Sequence, residues 1–303
     1  MVNTEHRPAP AVDIIPSEEL VQYIDPSLLT LNYNDIFIRT TIIFGSFSFF
    51  AFVFLCVLVT CNIFTSLRIL GLKFKVFLSL SFVRGLYGLF AIVLGCYAIF
   101  QTTNLDRDVV FGTNATSQVA MLLTVGFFIF ELSAVILSDI AFRTFSFMLL
   151  THHGLALIAY TMAIILNANF CFGCKGLILE MSTPFSCLCY VLLKVNMEHS
   201  RLWKINQVIL VHTFHLRNVV ECHLWYIAYT NWQHIYNFMP SGIFFMLFAN
   251  LTLITFIMTP YWGYKKTQQL FNPVDWNFQE SRNTDHLANG SVKQIDQESK
   301  KDD

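Results

Sequence analysis

Long apolar runs alternate with short polar segments along this chain. A transmembrane helix needs about 20 predominantly apolar residues to cross the hydrocarbon core of a bilayer. Seven runs of roughly that length occur, at residues 40–64, 76–100, 119–142, 144–170, 176–193, 205–230 and 238–262. The fifth run is short and the sixth is polar, so these two are the weakest. The pattern predicts an all-α fold, a multi-pass transmembrane helical bundle of about seven spans.

The composition agrees with this interpretation. Of the 303 residues, 55% are hydrophobic, 31 are Phe and only 13% are charged, whereas about 25% of an ordinary soluble domain is charged. A water-soluble globule of this size could not bury so much apolar surface. The formal net charge is -1, which attracts no polyanion. The composition therefore excludes a soluble enzyme, a disordered regulator and a nucleic-acid-binding protein.

Polar segments flank the apolar region and divide the chain into three parts. Residues 1–35 contain four prolines and no early apolar core, so we expect no cleavable signal peptide, and the first span must act as the targeting signal. Residues 36–262 form the transmembrane domain. Residues 263–303 form a polar tail, and its part beyond residue 280 has the composition of a disordered segment.

Loop charges predict the orientation in the membrane. The segments on one side of the predicted spans hold nine Lys and Arg residues, against four on the other side, and the more basic side is generally cytoplasmic. The N-terminus is then lumenal and the C-terminus cytosolic. Asn114-Ala115-Thr116 is a glycosylation sequon in a segment that this topology places in the lumen, so we expect a glycan on Asn114.

The last four residues are Lys300-Lys301-Asp302-Asp303. Lysines at these two positions form a dilysine retrieval signal, an address that the COPI coat reads in the cytosol. The alternative is a charged tail that happens to contain two lysines. Together with the orientation and the sequon, the tail predicts a protein of the endoplasmic reticulum membrane that cycles to the ER-Golgi intermediate compartment.

Two cysteines, Cys171 and Cys174, fall in the predicted lumenal loop between the fourth and fifth spans. A lumenal pair of this spacing could be oxidised or act as a redox pair, but the strand and helix that accompany a thioredoxin motif are missing. A structural or idle pair is the favoured interpretation. The loop offers no further metal ligands, so no metal site is predicted.

Ionisable side chains interrupt the predicted spans. A charged group at the centre of a bilayer costs at least ~2.5–3.5 kcal/mol, so these side chains are expected to face one another or a wet cavity. The residues concerned are Arg84, Glu131, Asp139, His152, His153, Glu180, His212, His215, Arg217 and Glu221.

A helical wheel of the sixth run separates its polar residues into two faces. His212 and His215 share one arc, while Arg217 and Glu221 lie on another face, four residues apart and able to pair. Two polar faces are expected of a helix deep in a bundle. Arg217 with Glu221 is interpreted as a structural ion pair, and Arg84 is expected to pair with a carboxylate from another span.

The adjacent histidines His152 and His153 are a different kind of feature. Neighbouring residues on a helix diverge by about 100°, so the two rings are not expected to pack against one neighbour. A neutral imidazole can act as a base, a nucleophile or a ligand. A role in packing and a role in chemistry both stay open at this point.

Several motifs resemble the TLC family of membrane proteins, which includes the ceramide synthases. The resemblance covers about residues 35 to 280 and rests on Phe130-Glu131, Ser138-Asp139-Ile140, His152-His153, residues 179–185, residues 203–207 and residues 260–278. It implies a helical bundle in the endoplasmic reticulum that encloses a narrow, lipid-sized cavity. In ceramide synthases, paired histidines lie at an acyl-transfer site supplied by acyl-CoA, and His152 and His153 match that pair. The acidic motif of those enzymes is replaced here by Glu180 and Ser182-Thr183, which disfavours ceramide synthesis itself.

Two functions from different classes follow, together with a third. The first is an acyl-CoA-dependent acyltransferase with a phospholipid-type acceptor, in which His152 or His153 takes the acyl group or removes a proton and Asp139 orients the other histidine. Arg217 or His212 would bind an acceptor phosphate, and Glu131, Glu180 and His215 would line the cavity. The second is a cargo receptor that carries lysosomal enzymes, with other export proteins, from the endoplasmic reticulum. The third is a lipid-binding sensor. Membrane lipids are expected partners in each case, acyl-CoA is a co-substrate only in the first, and no bound cofactor is expected.

Overall fold

A computed structural model describes residues 31–272, except residues 65–67, 69, 102, 146 and 196. The dilysine tail and most of the N-terminal segment lie outside the described residues. All regular elements in the described part are helical. They are α1 (Ile36–Ile63), α2 (Leu72–Phe100), α3 (Asn104–Arg107), α4 (Ala115–Phe142), α5 (Phe147–Leu166), α6 (Phe170–Gly176), a 3₁₀ segment (Leu177–Ser182), α7 (Thr183–Lys194), α8 (Arg201–Thr230), α9 (Trp232–Phe238), α10 (Ser241–Leu253), a π-helical segment (Ile254–Met258) and α11 (Thr259–Phe271).

The long helices run back and forth between two ends of one bundle. We call them the sequon end, which carries Asn114, and the lysine end, which carries Lys194 and Lys265. At the sequon end, Arg39 in the first turns of α1 donates to the carbonyl of Ile164 near the end of α5 at 2.9 Å. At the lysine end, Lys75 in the first turn of α2 donates to Asn62 near the end of α1 at 2.7 Å.

The predicted transmembrane bundle is confirmed. Among the described residues, six helical stretches are long and apolar enough to cross a membrane: α1, α2, α4, α5, α6 to α7 and α10 to α11. The polar helix α8 is not one of them, although it is 30 residues long. It nevertheless runs the whole length of the bundle, because α7 ends at the lysine end and α9 lies at the sequon end. The seven predicted runs therefore correspond to seven helical passes.

Capping side chains set where some helices begin. Asp35 accepts a hydrogen bond from the Phe37 N–H, so α1 begins at Ile36, four residues before the predicted start. Asn114 caps α4 by accepting from the Ser117 N–H at 2.7 Å. A side-chain oxygen at this position satisfies an otherwise unpaired N–H of the first turn.

Small residues allow the apolar helices to approach closely. A Cβ atom at Gly126 of α4 would lie 2.5 Å from the carbonyl oxygen of Ile43 on α1. At Gly95 of α2, a Cβ would lie 2.3 Å from the backbone nitrogen of Ile178. Glycine at such contacts is typical of membrane helices, whose association depends on close van der Waals packing.

The fifth pass is broken near its centre. The 3₁₀ segment precedes Pro184, which lies in the first turn of α7 and packs against α2 at Gly88. Proline is tolerated there because the first helical N–H groups have no partner within the helix. The break lies beside Glu180 and Ser182, two residues of the cavity described below.

The cysteine pair lies in a helix rather than in a loop. Cys171 and Cys174 belong to α6, which begins six residues before the predicted fifth span, and both thiols are buried and unlinked. Cys174 contacts the carbonyl of Ser117 through its sulfur at 3.9 Å. The prediction of a loop at this position is wrong, because the fifth pass already starts at Phe170.

Two ion pairs hold the segment between α2 and α4 at the sequon end. Buried Lys175 lies 2.9 Å from Asp106, and His234 of α9 lies 3.0 Å from Asp108. Partial burial acts to raise the pKa of Asp108, but hydrogen bonds from the N–H groups of Phe111 and Val110 and from His234 hold this pKa below its ordinary value.

Candidate functional site

A cavity of about 790 Å³ lies inside the bundle. Its lining reaches the exposed residues Phe145 and Tyr261 at the lysine end, which are 73% and 43% exposed. Toward the sequon end it reaches Met121, Asn169 and Phe172, which are all buried. The cavity is therefore open at the lysine end and is bounded by buried side chains at the other, with a volume typical of small-molecule sites.

Arg84, which is partly buried, and Glu131, which is fully buried, form an ion pair beside the cavity. Both Nε and Nη2 of Arg84 reach Oε1 of Glu131, at 2.6 and 2.5 Å. This confirms that Arg84 pairs with a carboxylate from another span. Glu131 is completely buried and lies behind the wall, so it does not line the cavity as predicted, whereas Arg84 does.

The histidine pair lies on α5 and faces the cavity from one side. His153 Nδ1 is 3.6 Å from Glu131 Oε1, and the two imidazole centroids are 5.3 Å apart. A separation of 3.6 Å is longer than a hydrogen bond, although catalytic contacts often tighten only when substrate binds. The Nδ1 atoms of both rings are buried and have no hydrogen-bond partner among the residues that the structure describes. Buried unpaired polar atoms cost about 1–3 kcal/mol each, which points to a ligand as their partner.

Arg217 of α8 approaches the cavity from another side. Its Nη1 donates to Ser182 Oγ at 3.1 Å, and its Nε lies 3.9 Å from Glu221 Oε1. Glu221 in turn accepts a hydrogen bond from Thr259 at 2.5 Å. The predicted pair of Arg217 and Glu221 is present, and Arg217 keeps its guanidinium at the cavity wall.

Glu180 lines the cavity, as predicted, at the break in the fifth pass. Its Oε2 accepts a hydrogen bond from Thr183 Oγ1 at 2.5 Å. This carboxylate, Arg84, Arg217 and the two histidines surround the central part of the cavity. The histidines and the carboxylate can exchange protons, whereas the guanidinium groups donate hydrogen bonds only.

Asp139 lines the cavity but does not orient a histidine. It accepts a hydrogen bond from Thr144 Oγ1 at 3.0 Å, near the lysine end. The carboxylate beside the histidine pair is Glu131, eight residues earlier on α4. About 12 Å of helix separates the two positions, which explains why the assignment of the orienting role to Asp139 is wrong.

His212 and His215 lie on the outer face of α8 and are both exposed, outside the cavity lining. The two rings are 6.2 Å apart, and His212 Nδ1 contacts the Val208 carbonyl at 2.8 Å. The predictions that these residues line the cavity, and that His212 binds a phosphate there, are wrong. The helical wheel gave the angle between the two polar faces correctly, but it could not show that one of them points away from the bundle.

Other cavity residues were not singled out by the sequence. Lys265 and Lys266 of α11 line the opening, where Lys266 donates to Gln269 at 3.1 Å. Tyr160 lines the opposite part and donates to the Gly173 carbonyl at 3.1 Å. The two lysines were counted only as loop charges, although their position at the end of the last span is a usable signal.

Chemically, the central part can perform acid–base or nucleophilic work away from bulk water. An imidazole beside a buried carboxylate suits proton transfer, and guanidinium groups suit the binding of phosphate or carboxylate. The apolar walls suit an acyl chain.

Comparisons with known proteins agree with this architecture. Residues 77–267 match the family model of the TLC domain. The chain is 36% identical over 256 residues to "Protein CLN8" of Rattus norvegicus, covering 83% of this chain and 88% of that protein. It is 35% identical to "Protein CLN8" of Homo sapiens, covering 83% and 89% respectively. No solved structure matches the chain. The chain is therefore a multi-pass membrane protein that belongs to the TLC domain family.

Proposed function

We propose that this protein is an acyl-CoA-dependent acyltransferase of the endoplasmic reticulum membrane that acts on a phospholipid-type acceptor. The observation that carries the proposal is the pair of partly buried histidines, His152 and His153, on a cavity that is open at one end. Their unpaired nitrogen atoms, and the carboxylate of Glu131 beside them, are unexplained by packing alone.

In the proposed reaction, the acyl carbon leaves the sulfur of CoA and forms an ester bond with a hydroxyl oxygen of the acceptor. A histidine removes the hydroxyl proton and delivers it to the departing thiolate, so that the products are the acylated lipid and free CoA. Alternatively, the histidine first takes the acyl group and then passes it to the acceptor. Glu131, at 3.6 Å from His153, stabilises the imidazolium that forms.

Cationic side chains support the binding of the two phosphate-bearing substrates. Lys265 and Lys266 line the opening, and Arg217 lies deeper in the cavity. The opening is where the water-soluble part of acyl-CoA would stay, and Arg217 would bind the phosphate of the acceptor through charge-assisted hydrogen bonds. In this proposal the lysine end faces the cytosol, which fits the excess of basic residues there.

A cargo receptor for lysosomal enzymes is the second candidate function. Its support is a set of exposed aromatic side chains at the sequon end, Phe111, Tyr236 and Phe238, because aromatic residues are enriched in protein interfaces. The dilysine signal at Lys300 and Lys301 would serve its retrieval by the COPI coat. The cargo-receptor role does not explain the polar side chains that line the cavity.

One set of variants separates the two functions. His152→Ala, His153→Ala and the double variant are compared with His212→Ala, which removes an imidazole from the outer face. Loss of a general base lowers the rate about 10²–10⁴-fold, so the cavity variants should lose acyl transfer from palmitoyl-CoA to a lysophospholipid, measured by mass spectrometry. Co-precipitation of lysosomal enzymes should be unchanged.

The control variant His212→Ala should transfer acyl groups like the unaltered protein. Full transfer by the His152→Ala/His153→Ala double variant, at normal abundance, would end the catalytic interpretation.

A further inference from the structure

The part of the cavity beyond the histidines has the character of a channel for an alkyl chain. We call it the inner arm, and it is lined by Met121, Tyr160, Phe172, Gly173 and Gly176. Tyr160 follows His153 by seven residues on α5 and Met121 precedes Glu131 by ten on α4, so the arm extends about 10–15 Å from the histidine pair toward the sequon end. Its hydroxyl, on Tyr160, donates to the Gly173 carbonyl, and the amide of Asn169 marks the far end of the lining.

Gly176 is the residue of this arm that packing does not explain. Its backbone has φ -64° and ψ -24°, an ordinary right-handed helical conformation that any residue adopts. Glycine at such a position destabilises a helix relative to alanine. The local backbone therefore gives no reason for a glycine at this place.

Neighbouring atoms give no reason for it either. A Cβ atom at Gly176 would meet nothing within 4 Å, although the residue is partly buried. One turn earlier, a Cβ at Gly173 would lie 2.7 Å from the Met121 side chain, so glycine is required there by contact. Gly45 on α1 also has open space around it, but it is exposed and lies outside the cavity lining. Gly176 is distinctive because the open space beside it belongs to the cavity.

We propose that Gly176 sets the longest acyl chain that the cavity accepts. The inference rests on the proposed function, in which an acyl chain occupies the inner arm while its carbonyl lies beside the histidines. A side chain at position 176 would project into the arm and displace the methylene groups that reach that level. Shorter chains would end before it and would still bind.

Acyl transfer by the full-length purified protein tests this assignment. Gly176→Ala, Gly176→Leu and the unaltered protein are compared with octanoyl-CoA, palmitoyl-CoA and icosanoyl-CoA, with one lysophospholipid as acceptor. Gly45→Leu is the matched control, since it adds the same side chain to an open helical glycine elsewhere. In parallel, the acyl chains that co-purify with each variant are identified by mass spectrometry.

We expect Gly176→Leu to keep transfer from octanoyl-CoA and to lose transfer from icosanoyl-CoA, by about fourfold for each methylene group that is excluded. Gly176→Ala should show a smaller shift in the same direction, and Gly45→Leu should match the unaltered protein. The co-purified chains should shorten in the same order.

The outcomes distinguish this assignment from the proposed function. An unaltered chain-length profile in Gly176→Leu, or an equal loss for every chain length in both Gly176 variants, overturns the assignment while leaving the acyltransferase in place. If the unaltered protein binds acyl chains without transferring them, the co-purified chains still decide whether Gly176 limits their length. If it neither binds nor transfers them, the proposed function falls, and this assignment falls with it.

Discussion

Histidines on two helices of this bundle, α5 and α8, occupy different environments. His152 and His153 on α5 lie at the cavity wall among charged side chains, whereas His212 and His215 on α8 point outward. On α8 itself, Arg217 and Glu221 face inward and bond to Ser182 and Thr259. The comparison shows that a polar residue in a membrane span can face either the interior or the outside of the bundle, and that polarity alone does not separate the two cases.

The largest loss of stability is expected inside the bundle, when the ion pair of Arg84 and Glu131 is broken. Glu131→Gln leaves the partly buried Arg84 guanidinium without its counter-charge, which costs up to about 3–5 kcal/mol. The midpoint of thermal unfolding in detergent should fall accordingly. Replacing both residues, as Arg84→Met with Glu131→Leu, should restore most of that stability. A Glu131→Gln variant as stable as the unaltered protein would contradict this ion pair.

Two glycines, Gly95 inside the bundle and Gly45 on its outer surface, allow the same comparison without a change of charge. Gly95→Ala would force a methyl group against the backbone of Ile178, and overpacking of this kind typically costs 1–3 kcal/mol. Gly45→Ala meets open space and should stabilise α1 by about 0.5–1 kcal/mol. Unfolding measured under the same detergent conditions gives both values, and equal stability of the two variants would refute the close contact at Gly95.

A smaller effect is expected from the half-exposed pair of Asp108 and His234. Because the folded pKa of Asp108 lies below its ordinary value, this group stabilises the fold at pH values above that ordinary pKa. The stabilisation is lost as the pH falls through the folded pKa, below about pH 4. Exposed pairs contribute about 0.2–1 kcal/mol, so Asp108→Asn should lower stability by that amount at neutral pH. The difference in stability between the variant and the unaltered protein should shrink as the pH falls. A difference that grows on acidification would contradict the lowered pKa of Asp108.

The smallest loss of stability is expected from substitutions on the outer face of α8. His212→Ala and His215→Ala remove exposed rings, and substitutions of that kind usually change stability by less than about 0.5 kcal/mol. Thermal unfolding of the single and double variants measures this. A loss as large as that of Glu131→Gln would show that the outer histidines have a buried partner and would remove the contrast between the two faces.

Six of the seven helical passes could be predicted because each is an apolar run of membrane length, and hydropathy depends on the local sequence alone. The start of α6 at Phe170 was missed because the apolar run at residues 144–170 continues through Asn167 and Asn169, whose left-handed backbone separates α5 from α6. The 3₁₀ segment before Pro184 could not be predicted, because a proline indicates a break in a helix but does not specify the geometry on its N-terminal side.

The site was predicted less completely, for a geometric reason. Helical periodicity fixes the angles between residues on one helix, but not the rotation of that helix about its axis. His152, His153, Glu180 and Arg217 were placed correctly at the cavity, whereas His212 and His215 were not. The choice between Asp139 and Glu131 likewise depended on how far α4 is shifted along α5, which only the packed bundle shows.

The polarity of α8 has a consequence for biosynthesis. The other passes are apolar enough to leave the translocon separately, but α8 carries Arg217 and Glu221 near its centre, and each such residue opposes insertion by about 2.5–3.5 kcal/mol. In the folded protein, Glu221 is hydrogen-bonded to Thr259 and Trp225 is hydrogen-bonded to Thr255, and both threonines belong to the last pass. We therefore expect α8 to be retained beside the translocon until the ribosome has delivered residues 254–271. Chains that terminate before this segment should expose α8 to the degradation machinery of the membrane, even though every cavity residue up to Arg217 has already been synthesised.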